Sequence, residues 1–141
     1  MLYAIYEGLR IVLEEGLAVR YERHNRNASA LRAGLEALGL EVISDKNHRL
    51  SQITPVGIPI GVDDARVRMK LTEDYKIEIS RGLGKFAGKI WRIGLMGEAS
   101  TSGNVMCLLS ALEEILPSEG FELPVGAGVA AASKALTVSA L

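Results

Sequence analysis

Apolar residues return at steps of three and four along the first stretch of the chain: Leu2, Ile5, Tyr6, Leu9, Val12, Leu13 and Leu17. That period places them on one stripe of a helix, while Glu7, Arg10 and Glu14 face water. The pattern starts at Met1 with no Ser, Thr, Asp or Asn ahead of it, so it reads as a truncated helix. Gly16 interrupts the stripe, which resumes through Leu17, Tyr21, His24, Ala28, Leu31, Leu35 and Leu38. Gly39 follows, where a helix end wants a left-handed residue. Leu40–Ser44 then reads as a short strand, Asp45–Arg49 as a polar turn, and Ser51–Ile60 as an extended segment that Pro55 and Pro59 demote to an edge or interrupted strand.

A second helical pattern covers Val62–Glu73, with Asp63 and Asp64 in the first turn, where carboxylates suit the positive helix end. Lys76–Ser80 alternates as a strand, Gly82–Gly88 is a glycine-rich loop, and Ile90–Met96 is the strongest strand in the chain. Ser102, Gly103 and Asn104 offer caps for a helix over Val105–Leu116, stopped by Pro117. Beyond a turn with Pro124, Gly126 and Gly128, the alanine-rich Val129–Leu141 predicts a terminal helix. The order points to an α+β fold, a small and mainly antiparallel sheet with helices packed on one face. Residues 1–117 are expected to form the domain and 118–141 a C-terminal extension.

Composition narrows the function classes. The 141 residues are 48% hydrophobic, enough for one core that buries roughly two-thirds of the unfolded surface without disulfides or metal staples. With 16 Lys and Arg against 17 Asp and Glu, the chain lacks the basic excess that displaces counterions from nucleic acid. No run is long and apolar enough to span a bilayer, and the charges in residues 1–19 break any signal-peptide core. The single Cys107 forms no internal disulfide, which fits a reducing cytoplasm.

Few constellations carry chemistry. His24, His48 and Cys107 are widely separated and lack metal-ligand spacing, so no metal site is expected. There is no GxSxG elbow, and Cys107 inside an amphipathic helix reads as a small core residue. The pairs Glu14–Glu15, Asp63–Asp64 and Glu113–Glu114 read as solvated faces or a helix N-terminus rather than a two-carboxylate site. Gly82-x-Gly84-x-x-Ala87 nominally fits a dinucleotide fingerprint, but it opens a strand where that fingerprint must open a helix. Arg92 is different. Alternation puts Trp91, Ile93 and Leu95 on one face of the strand and Ile90, Arg92 and Gly94 on the other. An arginine in so apolar a strand needs a carboxylate or phosphate to match its planar fork. An internal ion pair, an exposed outer face and a bound ligand all satisfy that requirement. Gly94 leaves room beside it.

The run Ile77-Glu78-Ile79, Gly82-Leu83-Gly84 and Ala87-Gly88-Lys89-Ile90-Trp91-Arg92-Ile93-Gly94-Leu95-Met96-Gly97, followed by Asn104-Val105, resembles the C-terminal region of class V aminotransferases. The nearest branch holds the alanine–glyoxylate, serine–glyoxylate and serine–pyruvate enzymes, which are fold-type I pyridoxal-phosphate enzymes. The resemblance spans roughly residues 1–116, and residues 1–39 look like the helix running from the large domain into the small one. It implies that Arg92 grips the α-carboxylate of the substrate. Ser80-Arg81 in place of Gly-Gly, Lys85 in place of proline and Glu98 in place of a neutral residue depart from the family pattern at the mouth of such a site.

In such enzymes the Schiff-base lysine, the aspartate at the pyridine nitrogen and most phosphate contacts belong to the large domain. None of the six lysines here, Lys46, Lys70, Lys76, Lys85, Lys89 and Lys134, lies in a matching motif. The resemblance therefore implies a small domain, inactive alone, with no catalytic residue or bound cofactor of its own. Its expected partners are a large pyridoxal-phosphate-binding domain, a small amino-acid or oxo-acid carboxylate, and a second copy through Leu2–Leu17. Two competing readings are a stand-alone carboxylate-binding or regulatory module, and an interaction protein for a separately encoded large domain.

Overall fold

A computed structural model describes residues 2–138 and contains five α-helices and a three-stranded sheet among them. Helix α1 (Leu2–Glu15) and helix α2 (Leu17–Ala37) meet at Gly16. Gly39, at φ 80°, ends the second helix as the sequence predicts: its N–H reaches the Glu36 carbonyl and the Leu40 N–H reaches that of Leu35. Strand β1 (Ile53–Gly57) follows, then helix α3 (Asp64–Tyr75), strands β2 (Ser80–Arg81) and β3 (Ile90–Gly94), and helices α4 (Ser102–Ser118) and α5 (Ala127–Val138). The sheet order is β1-β3-β2, antiparallel throughout, so the strongest strand of the sequence sits in the middle. The fold is α+β with its helices on one face, as the pattern of elements predicts.

Pro55 explains why β1 is an edge. Its carbonyl faces away from β3 and accepts from the Ile43 N–H, so its ring nitrogen also points outward, where no ladder bond is lost. The core lies between the sheet and the helices, built from Leu31, Leu35, Val56, Val67, Leu71, Trp91, Ile93, Leu109, Leu112 and Leu116. Helix α5 lies against α2 and α4, and Ala132 is fully buried there.

Several boundaries differ from the sequence reading. Leu40–Ser44 is no strand but one isolated bridge, Val42 to Val56, because Gly57 and Pro55 offer only two bonds to that side. Lys76–Ser80 pairs only from Ser80 onward. Lys76 adopts a left-handed conformation (φ 58°) to close α3, and the Ile77 N–H turns back to the Leu71 carbonyl. Pro117 does not stop α4. It occupies the last turn, where Glu119 and Gly120 close the helix on the carbonyls of Leu116 and Pro117. The cap of α4 is Thr101, whose hydroxyl accepts from the Asn104 N–H at 3.1 Å, rather than Ser102, Gly103 or Asn104. The terminal helix begins at Ala127, and residues 139–141 of the predicted element lie outside the described residues.

Candidate functional site

Strand β3 carries Trp91 and Ile93 into the core, followed by Leu95 just past its end, and turns Arg92 and Gly94 to the outer face, as alternation predicts; Ile90, expected on that outer face, is buried. In register, Arg92 stands opposite Pro55 on β1 and Ser80 on β2, while Gly94 stands opposite Ile53. The residues directly across from the arginine are therefore compact. The Arg92 Nε–H donates to the Arg81 carbonyl at 2.9 Å, which fixes the plane of the guanidinium. Both terminal nitrogens are left without a partner among the described residues, whose carboxylates do not pair with them. That is the edge a carboxylate engages with two parallel hydrogen bonds. The internal ion pair allowed by the sequence is thus missing, and what remains is a braced fork on an open sheet face.

Beneath the sheet, Asp64 anchors the same strand from the other side. It accepts from Trp91 Nε1 at 2.8 Å and from Arg68 Nε and Nη2 at 2.8 and 3.0 Å. The Arg68 hydrogen bonds hold its carboxyl below the ordinary aspartate range against the opposing effect of burial. Asp63 is the cap of α3, accepting from the Arg66 N–H. The sequence treated the pair as helix-end charges. The Asp64–Arg68 spacing of one helical turn was the readable signal of a tie, but its third member, Trp91, is distant in sequence.

The turn after β3 is held by α2. His24 is buried, with Nδ1 donating to the Arg20 carbonyl at 2.7 Å and Nε2 accepting from the Gly97 N–H at 3.2 Å. Arg23 Nη1 donates to the carbonyls of Gly97 (3.0 Å) and Ser100 (2.7 Å), and Asn27 Nδ2 to that of Ser100 (2.7 Å). The sequence put His24 on the apolar stripe but gave no sign of this clasp, because its partners lie more than seventy positions away.

Other sequence candidates fall elsewhere. His48 is exposed in a short 3-10 turn beside Asp45, and no group of three metal-ligating side chains gathers among the described residues. Cys107 is exposed rather than core, because it lies off the Val105-Leu108-Leu109-Leu112 stripe of α4. Of the acidic pairs, Glu15 binds Arg20 and Arg23, and Glu113 accepts from the N–H groups of Gly126, Gly128 and Val129 at the start of α5. Glu114 receives the Tyr75 hydroxyl, which pushes that phenol up to about 12. The glycine-rich loop links β2 to β3 and opens no helix other than the short 3-10 turn Gly84–Phe86.

The lysines do not assemble a pyridoxal-phosphate site. Lys70 is bound by Glu119 and Ser118, and Lys85 lies over the Phe86 ring. Lys46, Lys89 and Lys134 are exposed. Lys76 borders a cleft of about 300 Å³ with Tyr75, Glu78 and Asn104, but its ammonium is bonded to the Glu73 carbonyl. Each lysine among the described residues is thus bonded to a neighbour or exposed.

No protein-family model matches the chain. It is 43% identical over 132 residues to the (S)-ureidoglycine–glyoxylate transaminase of Bacillus subtilis, covering 94% of this chain and 32% of that protein. To the alanine–glyoxylate aminotransferase of Callithrix jacchus it is 40% identical over 116 residues, 82% of this chain and 28% of the relative. The crystal structure of the Bacillus subtilis ureidoglycine–glyoxylate aminotransferase superimposes with a TM-score of 0.92 at 41% identity, over 96% of this chain and 35% of that one. The chain thus spans about a third of the length of the relatives it matches. With the fold, the strand bearing Arg92 and these relatives in agreement, the chain belongs to the class V aminotransferases of the alanine–glyoxylate and serine–glyoxylate branch and corresponds to their C-terminal small domain.

Proposed function

We propose that this chain is the substrate-carboxylate-binding part of a pyridoxal-phosphate aminotransferase. The parent enzyme moves an amino group between a small amino acid, alanine or serine, and an oxo acid, glyoxylate or pyruvate. The observation that carries this reading is Arg92: its Nε is braced on the Arg81 carbonyl, its two terminal nitrogens have no partner among the described residues, and compact Pro55 and Ser80 stand opposite it. Arg92 binds and orients the α-carboxylate, leaving the amino or oxo carbon to face the rest of the enzyme. Glyoxylate recurs in the names of the ureidoglycine–glyoxylate, alanine–glyoxylate and serine–glyoxylate relatives, which supports the oxo-acid assignment. Pyridoxal phosphate, when bound in such an enzyme, supplies the electron sink for the transfer. The lysine that holds it belongs to a large domain outside residues 1–117, so this chain alone is inactive and binds no cofactor. Residues 118–141 form a C-terminal extension, whose described part, through Val138, is laid on the domain. The exposed, unpaired Cys107 suits a reducing cytoplasm, and no helix among the described residues is long and apolar enough to cross a membrane.

The test reads Arg92 directly. A charge-assisted pair contributes about 1.5–3 kcal/mol, so glyoxylate should bind the isolated chain with a Kd on the order of 10 mM. Titration followed by the side-chain N–H signals of Arg92 should saturate in that range. Arg92→Gln should abolish the response. Arg92→Leu should change stability by less than about 1 kcal/mol, since no internal carboxylate loses its partner. A response that survives Arg92→Gln would overturn the assignment. Borohydride treatment with pyridoxal phosphate should leave no stable adduct at a single lysine, and one that forms would show a cofactor site in the chain itself.

A further inference from the structure

Helices α1 and α2 are separated by one residue, Gly16, whose φ of 80° breaks the helical path. No residue of α1 is buried, and the helix packs chiefly against α2. Its angle therefore depends on very few contacts. The strongest is Glu15, whose carboxylate crosses the joint to Arg20 Nη1 at 2.6 Å and to Arg23 Nε and Nη2 at 2.5 and 2.9 Å. The remaining arm of Arg23 is the one that holds the carbonyls of Gly97 and Ser100. Between α1 and this turn lies an open cleft of about 410 Å³, lined by Ile11, Glu14, Glu15, Arg23, Glu98 and Thr101, so α1 has room to swing.

We propose that Gly16 is a hinge and that Glu15 and Arg23 form its latch, so that the angle of α1 and the order of the Gly97–Ser100 turn are set together. A guanidinium has a fixed planar geometry, so one side chain that grips both a carboxylate and two carbonyls transmits position between them. Release of Glu15 frees α1 and leaves Arg23 able to rotate out of the turn. Gly97 then keeps only His24, and Ser100 only Asn27, of the side chains that hold them. The proposal does not depend on what Arg92 binds.

The test uses the full chain with Cys107→Ser and spin labels at Ala4→Cys and Ser110→Cys, both exposed positions, diluted into excess unlabelled protein. Ala4 lies about 18 Å along the helix axis from Gly16, so a swing of about 20° displaces it by about 6 Å. Glu15→Gln should broaden the label-to-label distance distribution by that amount and speed amide exchange at Gly97 and Ser100 about five-fold, with the core amide of Ile93 unchanged. Arg23→Lys, which keeps the charge and loses the fork, should loosen the turn in the same way. An unchanged distance distribution in Glu15→Gln overturns the latch, and a broadened one with unaltered turn amides overturns the coupling. Equal acceleration at Ile93 would mean general loosening and would also overturn it.

Discussion

Asp64 shows how one side chain can serve two elements. It closes a turn of α3 through Arg68 and also receives the indole N–H of Trp91, which is fully buried in the strand that carries Arg92. Asp64→Ala would leave that indole donor without an acceptor in the core, at a cost of about 1–3 kcal/mol in urea unfolding. Asp64→Asn keeps an acceptor for Trp91 and should cost less. The acid dependence follows from the same contact. Asp64 lies below its ordinary range because of Arg68, and Glu15 is drawn down to about 2, chiefly by Arg23. A carboxylate depressed in the folded state is protonated first in the unfolded chain, so its contribution is complete above the ordinary carboxylate range and is lost as pH falls toward the folded value. The urea midpoint should therefore hold steady down to about pH 5 and fall steadily between about pH 4 and 2. Asp64→Asn and Glu15→Gln should each flatten that fall, and a wild-type profile that is level to pH 3 would remove the argument.

At the scale of elements, the close approach of α2, α4 and α5 is made by residues without side chains. A Cβ added at Gly34 would lie 2.3 Å from Leu109 Cδ1 and 2.9 Å from the Gly128 carbonyl oxygen. The leucine tip can move; the backbone oxygen of α5 can move only with its helix. Gly34→Ala should thus cost about 1–3 kcal/mol despite its better helix propensity, measured by urea denaturation. A stabilised variant would show that α5 is free to shift. Periodicity located the helices, and α4 shows why it works where a stripe is buried: Val105, Leu108, Leu109 and Leu112 are all in the core. The alternation in Trp91-Arg92-Ile93-Gly94-Leu95 likewise told which residues face outward. It failed at Leu40–Ser44 and Lys76–Ser80, where an apolar and polar alternation exists but the neighbouring strand offers almost no ladder bonds. Strand pairing depends on a partner distant in the chain, and local pattern carries no information about it. The clasp of Arg23 on Gly97 and Ser100 was hidden for the same reason.

Among the described residues, the apolar face of α1 is left uncovered by the fold. Leu2, Tyr6, Leu9 and Leu13 recur at steps of four and three along α1, and Leu2 and Leu13 keep 82% and 80% of their surface exposed. Scattered apolar residues on a surface need no explanation, but a contiguous stripe on a helix with no buried residue does. In the parent enzyme proposed above, this stripe would rest on the large domain. In the isolated chain, another copy is the nearest apolar cover. The rim of Glu7, Arg10 and Glu14 is already paired within α1, so these charges oppose such an approach only weakly. Light scattering should therefore show a mass rising above the 15.2 kDa of one chain as concentration increases. Leu9→Glu combined with Leu13→Glu should weaken association at least ten-fold, about 1.4 kcal/mol, because both side chains are exposed in the monomer and would be buried only in the pair. Urea unfolding of the dilute double variant should match the wild type, which separates a lost interface from a damaged fold. A clean monomer at high concentration would mean that α1 finds its cover elsewhere on its own chain or tolerates water, and the self-association would be wrong.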